Sequence, residues 1–177
     1  MHRLFVAIRP PESIRDLLID AMDDSPDFRW QDEEQLHLTL RFIGEVDRHV
    51  ASDVAEGLAR IRSRSFDARI TGLGRFEQRS AGALWAGVEP KEPLAALAAK
   101  VERVCQQSGL QPERRAFHPH ITLARWKGRR TRELADFLDR RGGLASEPFE
   151  VDAFILFESR LSRHGAHYEE IASYQLG

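Results

Sequence analysis

The chain has 177 residues, with 26 Lys plus Arg against 28 Asp plus Glu, seven His, one Cys and 42% hydrophobic residues. This composition describes a globular chain and excludes disordered, fibrous and membrane-spanning classes; a lone cysteine likewise excludes a disulfide framework. The net charge of -2 hides an asymmetry, because residues 20–34 carry seven acids and one base while residues 114–132 carry seven bases and no acid, a candidate anion-binding patch.

Residues 3–8 form a short apolar run stopped by Pro10 and Pro11, and Ile14, Leu17, Leu18 and Ala21 then recur at helical spacing. After the acidic stretch, Leu38, Leu40 and Phe42 alternate with His37, Thr39 and Arg41, the period of a half-buried strand ending at Gly44. Val50, Val54, Leu58 and Ile61 mark a second helix, and residues 66–73 and 83–88 read as two strands around a polar turn. A third helix starts near Pro93, carries Leu94, Leu97, Val101 and Val104 on one stripe and stops before Gly109; Cys105 shares that stripe and reads as core. Residues 117–125, FHPHITLAR, read as a strand, followed by a short helix with Leu134, Phe137 and Leu138 inward and by strands near residues 149–157 and 167–174. The order of strand, helix, His-bearing strand and helix thus occurs twice at an offset of roughly 80 residues, too long for a solenoid repeat. Two similar lobes sharing a cleft, within one folding unit spanning residues 1–177, are expected. The apolar runs are far shorter than the roughly 18 residues of a membrane span and the N-terminus has no signal-peptide pattern, so a cytoplasmic protein is expected.

Two tetrapeptides stand out, His37-Leu38-Thr39-Leu40 and His120-Ile121-Thr122-Leu123. With seven His and four Thr in the chain, chance predicts about 0.16 His-x-Thr pairs. In a strand, residues i and i+2 face the same side about 6.6 Å apart, so each pair presents an imidazole and a hydroxyl together while the apolar fillers enter the core. Two imidazoles suit metal-free phosphoryl chemistry: a neutral one takes a proton from the nucleophile and a protonated one gives a proton to the leaving oxygen. The Thr hydroxyls would donate to the non-bridging phosphate oxygens. Arg41 shares the parity of His37 and joins the phosphate-binding candidates. Arg125 lacks the parity of His120 and reaches the cleft only if the strand ends or bulges near Ala124.

His118 and His120 also have the His-x-His look of a metal site, but no Asp or Glu lies between Glu113 and Glu133 to complete a local ligand set, and no metal or other cofactor is expected. Signatures of serine hydrolases, P-loops and dinucleotide folds are absent.

The paired tetrapeptides, the opening RLFVAIRPP, the stretch RWQDEEQLHLTLRFIGEV, the LWAGV strand, FHPHITLAR and the ending LFESRLSRHGAHYEEIASYQL together resemble the 2H phosphoesterases, specifically the RNA 2',3'-cyclic phosphodiesterases also called 2'-5' RNA ligases. The resemblance runs nearly end to end. It implies an α+β, bilobal, duplicated fold with two antiparallel sheets lining a central cleft and helices outside. It also implies metal-free opening of a terminal 2',3'-cyclic phosphate to a 2'-phosphomonoester, with His37 as proton donor to the leaving 3' oxygen and His120 as the base that activates water. Thr39, Thr122 and Arg125 would hold the phosphate, the last in spite of its strand parity. Phe5 and Tyr168 are candidates to stack on a base, with a place in the core as the alternative for each, and Arg129 and Arg130 are candidates to guide RNA. The expected partners are RNA with 2',3'-cyclic phosphate ends or small cyclic nucleotides, bound by a monomer. The alternatives are 2'-5' ligation as the main activity and a non-catalytic RNA-end binding module, in which a basic stripe from Arg125 to Arg132 tracks the backbone and Trp126 stacks.

Overall fold

A computed structural model describes residues 1–177, apart from the side chain of Thr131. The elements in chain order are β1 (His2–Ile8), α1 (Glu12–Ala21), β2 (Arg29–Trp30), a 3-10 turn (Glu33–Gln35), β3 (Leu38–Val46) and α2 (Arg48–Ala59). Then follow β4 (Phe66–Glu77), β5 (Ala81–Glu89), α3 (Lys91–Gln107), β6 (His120–Lys127), α4 (Thr131–Arg141), β7 (Phe149–Val151), β8 (Ala153–Ser162) and β9 (Gly165–Gln175). The strands pair antiparallel in the order β7-β4-β5-β6-β3-β1-β8-β9, with β2 alongside β6. The two expected sheets are therefore two halves, β3-β1-β8-β9 and β6-β5-β4-β7, continuous through one residue pair between β3 and β6, Leu38 with Ile121.

The alternation read from the sequence sorts the sheet into two faces. Leu4, Val6 and Ile8 of β1 join Leu38, Leu40, Ile121 and Leu123 in the main core, where Leu18, Val54, Leu97, Val101 and Phe137 bring in the four helices. Burying each of these side chains contributes roughly 1.5–3 kcal/mol, which clamps the helices to one face. Cys105 lies fully inside this core and burial pushes its thiol up to about 11, as its place on the α3 stripe implies. On the opposite, open face Phe5, Ala7, Ile155 and Phe157 form a second small cluster with Tyr168 packed against it.

The structure departs from the sequence reading in several places. The strand of His37 does not end at Gly44 but continues to Val46, with Gly44 at φ +82 and nothing near a would-be Cβ. The two-residue β2 carries no periodic signal; it pairs Arg29 with Arg125 and Trp30 with Ala124, filling the space where β3 diverges from β6. Trp126 is buried against Phe28 in the main core, ring centroids 5.4 Å apart, and so does not stack on a ligand.

A more consequential correction concerns Arg41. In β3, Ala7 faces Thr39 while the next residue of β1, Val6, faces Arg41, so Leu40 is the extra residue of a β-bulge. The bulge reverses parity beyond Thr39 and turns Arg41 to the helix side. There it is 8% exposed, its Nε donates to Glu102, Nη1 to the Phe42 carbonyl and Nη2 to the Gln111 carbonyl at 2.6 Å. Glu102 in turn accepts from the Glu113 amide at 3.0 Å, so this ion pair fastens β3 to α3 and to the loop that leads into β6. The same slip occurs in β6, where Trp85 faces Thr122 and Leu84 faces Ala124, making Leu123 the extra residue. It brings Arg125 to the open face, meeting the condition that strand parity had set. Arg41→Ala is expected to lower folding stability by about 2–4 kcal/mol, because Glu102 and two carbonyls lose their partner, whereas Arg125→Ala should change it by less than about 0.5 kcal/mol. Urea unfolding of both variants measures the contrast, and similar losses would show that the bulges do not separate the two arginines as described.

Candidate active site

The Leu38–Ile121 pair fixes the site. Both residues point into the main core, so the residues flanking them in each strand point to the open face. Antiparallel register then runs His37 against Thr122 and Thr39 against His120, a local two-fold arrangement of two imidazoles and two hydroxyls about one residue pair.

Both imidazoles are held by the same device. Nδ1–H of His37 donates to the Gln35 carbonyl at 2.7 Å and Nδ1–H of His120 donates to the His118 carbonyl at 2.6 Å, in each case the residue two before. A ring whose Nδ1 carries the proton leaves Nε2 as its exchangeable position. The Thr39 hydroxyl donates to Nε2 of His37 at 3.0 Å. Gln35 is itself locked: its amide donates to the Asp32 carboxylate at 3.0 Å, its side-chain oxygen accepts from the Asp32 amide at 3.1 Å, and its Nε2 donates to the Ala166 carbonyl at 3.0 Å. This capping box explains why an exposed acidic segment ends in a well-placed catalytic candidate.

Phe5 forms the floor under His37. It is 2% exposed, its ring centroid lies 4.8 Å from that of His37, and it stacks on Phe157 at 5.1 Å. Neither of its faces is open to a base, so the stacking expectation fails for Phe5, whose packing instead orients the imidazole. Tyr168 stands edge-on to both rings, 5.4 Å from His37 and 4.9 Å from Phe5.

Electrostatics follow from this packing. Burial pushes the His37 imidazole down to about 4; the Gln35 carbonyl opposes the shift, and the nearby charges of Arg125, His120 and Arg9 add to it. His120 is lowered as well, by burial first, against the His118 carbonyl, with His118 and Arg125 adding to the shift. Both rings are therefore neutral at neutral pH in the free protein. Arg9 was not visible as a candidate in the sequence, yet Ile8 pairs with Leu38, which sets Arg9 across from His37 on the open face, and its buried Nε has no partner. The signal that could have found it is the β1 alternation Phe5, Ala7, Arg9. Among the described residues, no carboxylate lies within salt-bridge reach of Arg9, Arg29 or Arg125, so this side of the cleft holds uncompensated positive charge.

The rest of the basic stretch is less uniform. Arg129 is exposed in the turn after β6, but the Arg130 guanidinium lies 3.8 Å from Asp27, a residue of the acidic segment, and is partly neutralised. His118 does not pair with His120 around a ligand set; its ring packs on Trp85 at 4.7 Å and on Phe76 at 5.4 Å. Among the described residues, the one group of acids or histidines close enough to hold a metal is Glu12, Asp16 and Glu33, exposed on α1 and the 3-10 turn. No helix there is long and apolar enough to cross a membrane.

Two imidazoles with Nδ1 bound to backbone carbonyls, two hydroxyls and guanidinium groups without a carboxylate partner stand on one sheet face, an arrangement chemically able to move protons and to hold an anion. Residues 10–163 match the 2'-5' RNA ligase superfamily, and the chain belongs to that family. It is similar to the RNA 2',3'-cyclic phosphodiesterase of Aeropyrum pernix, with 38% identity over 143 residues, 79% of this chain and 81% of the relative. The protein of that name from Thermus thermophilus is 31% identical over 98% of this chain and 90% of its own. Among solved structures, E. coli LigT superposes with a TM-score of 0.82 at 26% identity, covering 99% of this chain and 97% of LigT. LigT complexed with 3'-AMP gives 0.83 at 27%, covering 99% and 98%.

Because His37 in the folded protein binds its proton less readily than a free imidazole does, folding stability is lost as pH falls from about 6.5 toward 4, where the unfolded chain alone is protonated. His37→Gln removes that linkage. Between pH 7 and pH 5 the wild type should lose about 1 kcal/mol more stability than the variant, after allowance for the partial exposure of the ring. Parallel pH dependences in denaturant titrations would contradict the buried, neutral imidazole.

Proposed function

We propose that this protein is a metal-independent RNA 2',3'-cyclic phosphodiesterase that opens a terminal cyclic phosphate to a 2'-phosphomonoester by two-histidine acid–base catalysis. The observation that carries the reading is the Leu38–Ile121 pair, which sets His37 and His120 on one face, each opposite the other's threonine. The names of the relatives and the family match agree with it.

Seated between the two imidazoles, the cyclic phosphate would accept hydrogen bonds from the Thr39 and Thr122 hydroxyls and charge from Arg125 and Arg9, where negative charge builds on the non-bridging oxygens. Neutral His120, with Nε2 unprotonated, takes a proton from water as its oxygen attacks phosphorus. His37 gives its Nε2 proton to the departing O3', and the P–O3' bond breaks in line. In the free protein His37 is the harder ring to protonate, so this assignment requires the bound anion to raise it, as a negative charge beside an imidazole does. Each proton transfer is worth about 10²-fold to 10⁴-fold. Exposed Arg129, and Arg130 with its charge shared with Asp27, would meet the RNA beyond the terminal nucleotide.

The fold and charge distribution give no equal support to a binding module, since Trp126, its stacking residue, is core. Ligation uses the same groups, with an RNA hydroxyl in the place of water, and is the second reading.

Adenosine 2',3'-cyclic phosphate incubated with the protein in excess chelator should give adenosine 2'-phosphate by phosphorus NMR, and His37→Ala and His120→Ala should each lower kcat by about 10²-fold or more. Near wild-type turnover in either variant would refute the two-histidine mechanism. A cyclic substrate with sulfur in place of O3' needs no acid, because a thiolate leaves unaided; it should restore turnover to His37→Ala and not to His120→Ala. Rescue of the other variant would exchange the acid and the base.

A further inference from the structure

The two imidazoles differ in their surroundings. Around His37 the aromatic rings are Phe5, Phe157 and Tyr168, of which the first two are buried and spent on packing. Around His120 they are Phe76, Trp85 and His118, which stand on the open face. Phe76 is 40% exposed, and its ring centroid lies 5.1 Å from that of His120, 5.3 Å from that of Trp85 and 5.4 Å from that of His118.

The β4–β5 register shows how this shelf is built. Gly74 pairs with Trp85 and Ala83 pairs with Phe76, a small residue opposite each ring. A Cβ on Gly74 would come within 2.3 Å of the indole, so glycine is what lets Trp85 lie flat across β4. None of the three rings belongs to either apolar core cluster. Exposed aromatic area arranged this way, beside a phosphate site, matches a surface that accepts a planar ring.

The side on which the shelf stands decides which ring. In the reaction proposed above, His37 protonates O3', so the ribose of the cyclic phosphate lies on the His37 side, and the nucleophile enters from the His120 side. We propose that Phe76, Trp85 and His118 form a stacking subsite for a second nucleoside, on the nucleophile side of the phosphate, so that the cleft takes a diester with a base at each end. This rests on the phosphodiesterase reading of the two imidazoles and names the residues that would hold the nucleoside whose 5' oxygen stands in the place of water.

Two non-reactive diesters of equal charge test it: 3'-deoxyadenylyl-(2'→5')-adenosine, with nucleosides on both sides, and 3'-deoxyadenosine 2'-(methyl phosphate), with one. Lacking a 3' hydroxyl, neither can cyclise. Calorimetric binding to wild type should favour the two-nucleoside diester by about tenfold or more, the usual value of one stacked base. Phe76→Leu, which keeps apolar volume but removes the π face, should abolish that preference, and Phe76→Tyr should retain it. No preference in wild type, or a preference that survives in Phe76→Leu, overturns the subsite. Hydrolysis of adenosine 2',3'-cyclic phosphate by the same wild-type sample separates failure of the subsite from failure of the phosphodiesterase reading.

Discussion

A single antiparallel residue pair, Leu38 with Ile121, is the constraint on which the rest depends. It is the one place where the two halves of the sheet are joined in register, and it stands at the centre of the four-residue site. Because strand side chains alternate, committing these two aliphatic residues to the helix-side core commits His37, Thr39, His120 and Thr122 to the open face. Folding free energy from burying Leu38 and Ile121 therefore also sets the geometry of the polar groups. A one-residue slip in either strand would bury imidazoles and expose leucines, so the hydrophobic core strongly penalises the wrong register.

Around this pair, both imidazoles are held at Nδ1 by backbone carbonyls. The carbonyls of Gln35 and His118 fix the tautomers, and the Asp32–Gln35 box and the Arg41–Glu102 pair brace the segments that carry or approach them. Burial then lowers both imidazoles, and the charges of Arg125 and Arg9 lower His37 further. These guanidinium groups have no carboxylate partner among the described residues, and a negative charge placed beside His37 would raise its imidazole again.

Much of this was legible in the sequence. Apolar fillers between His and Thr gave the strands and the shared face, the repeated order gave the duplication, and the helical stripes placed Cys105 in the core. The parts that were hidden have a common cause: strand parity is readable only until a bulge intervenes. Leu40 and Leu123 look like ordinary core residues, and nothing local marks them as extra, so Arg41 was placed in the cleft it leaves, and Arg125 depended on a slip that only the β5 partner reveals. Phe76 was hidden differently, since it reaches the site through cross-strand pairing rather than through its neighbours in the chain, whereas Arg9 simply continues the alternation of Phe5 and Ala7. Phe5 takes the packed place that was the alternative to stacking on a base.

The two bulges have a further consequence. Each occupies the same position after its threonine, so both strands deliver positions one, three and six of the motif to one face: His37, Thr39 and Phe42 in the first copy, His120, Thr122 and Arg125 in the second. Four of these six groups are related by the local two-fold arrangement, and a cradle built from them alone would accept an anion equally well in either of two orientations. Position six breaks the tie. Phe42, 50% exposed, offers an uncharged ring where its counterpart offers a guanidinium, so the two copies differ in charge at that position. An arrangement that four groups leave symmetric thus acquires, through one aromatic and one cation, a polarity.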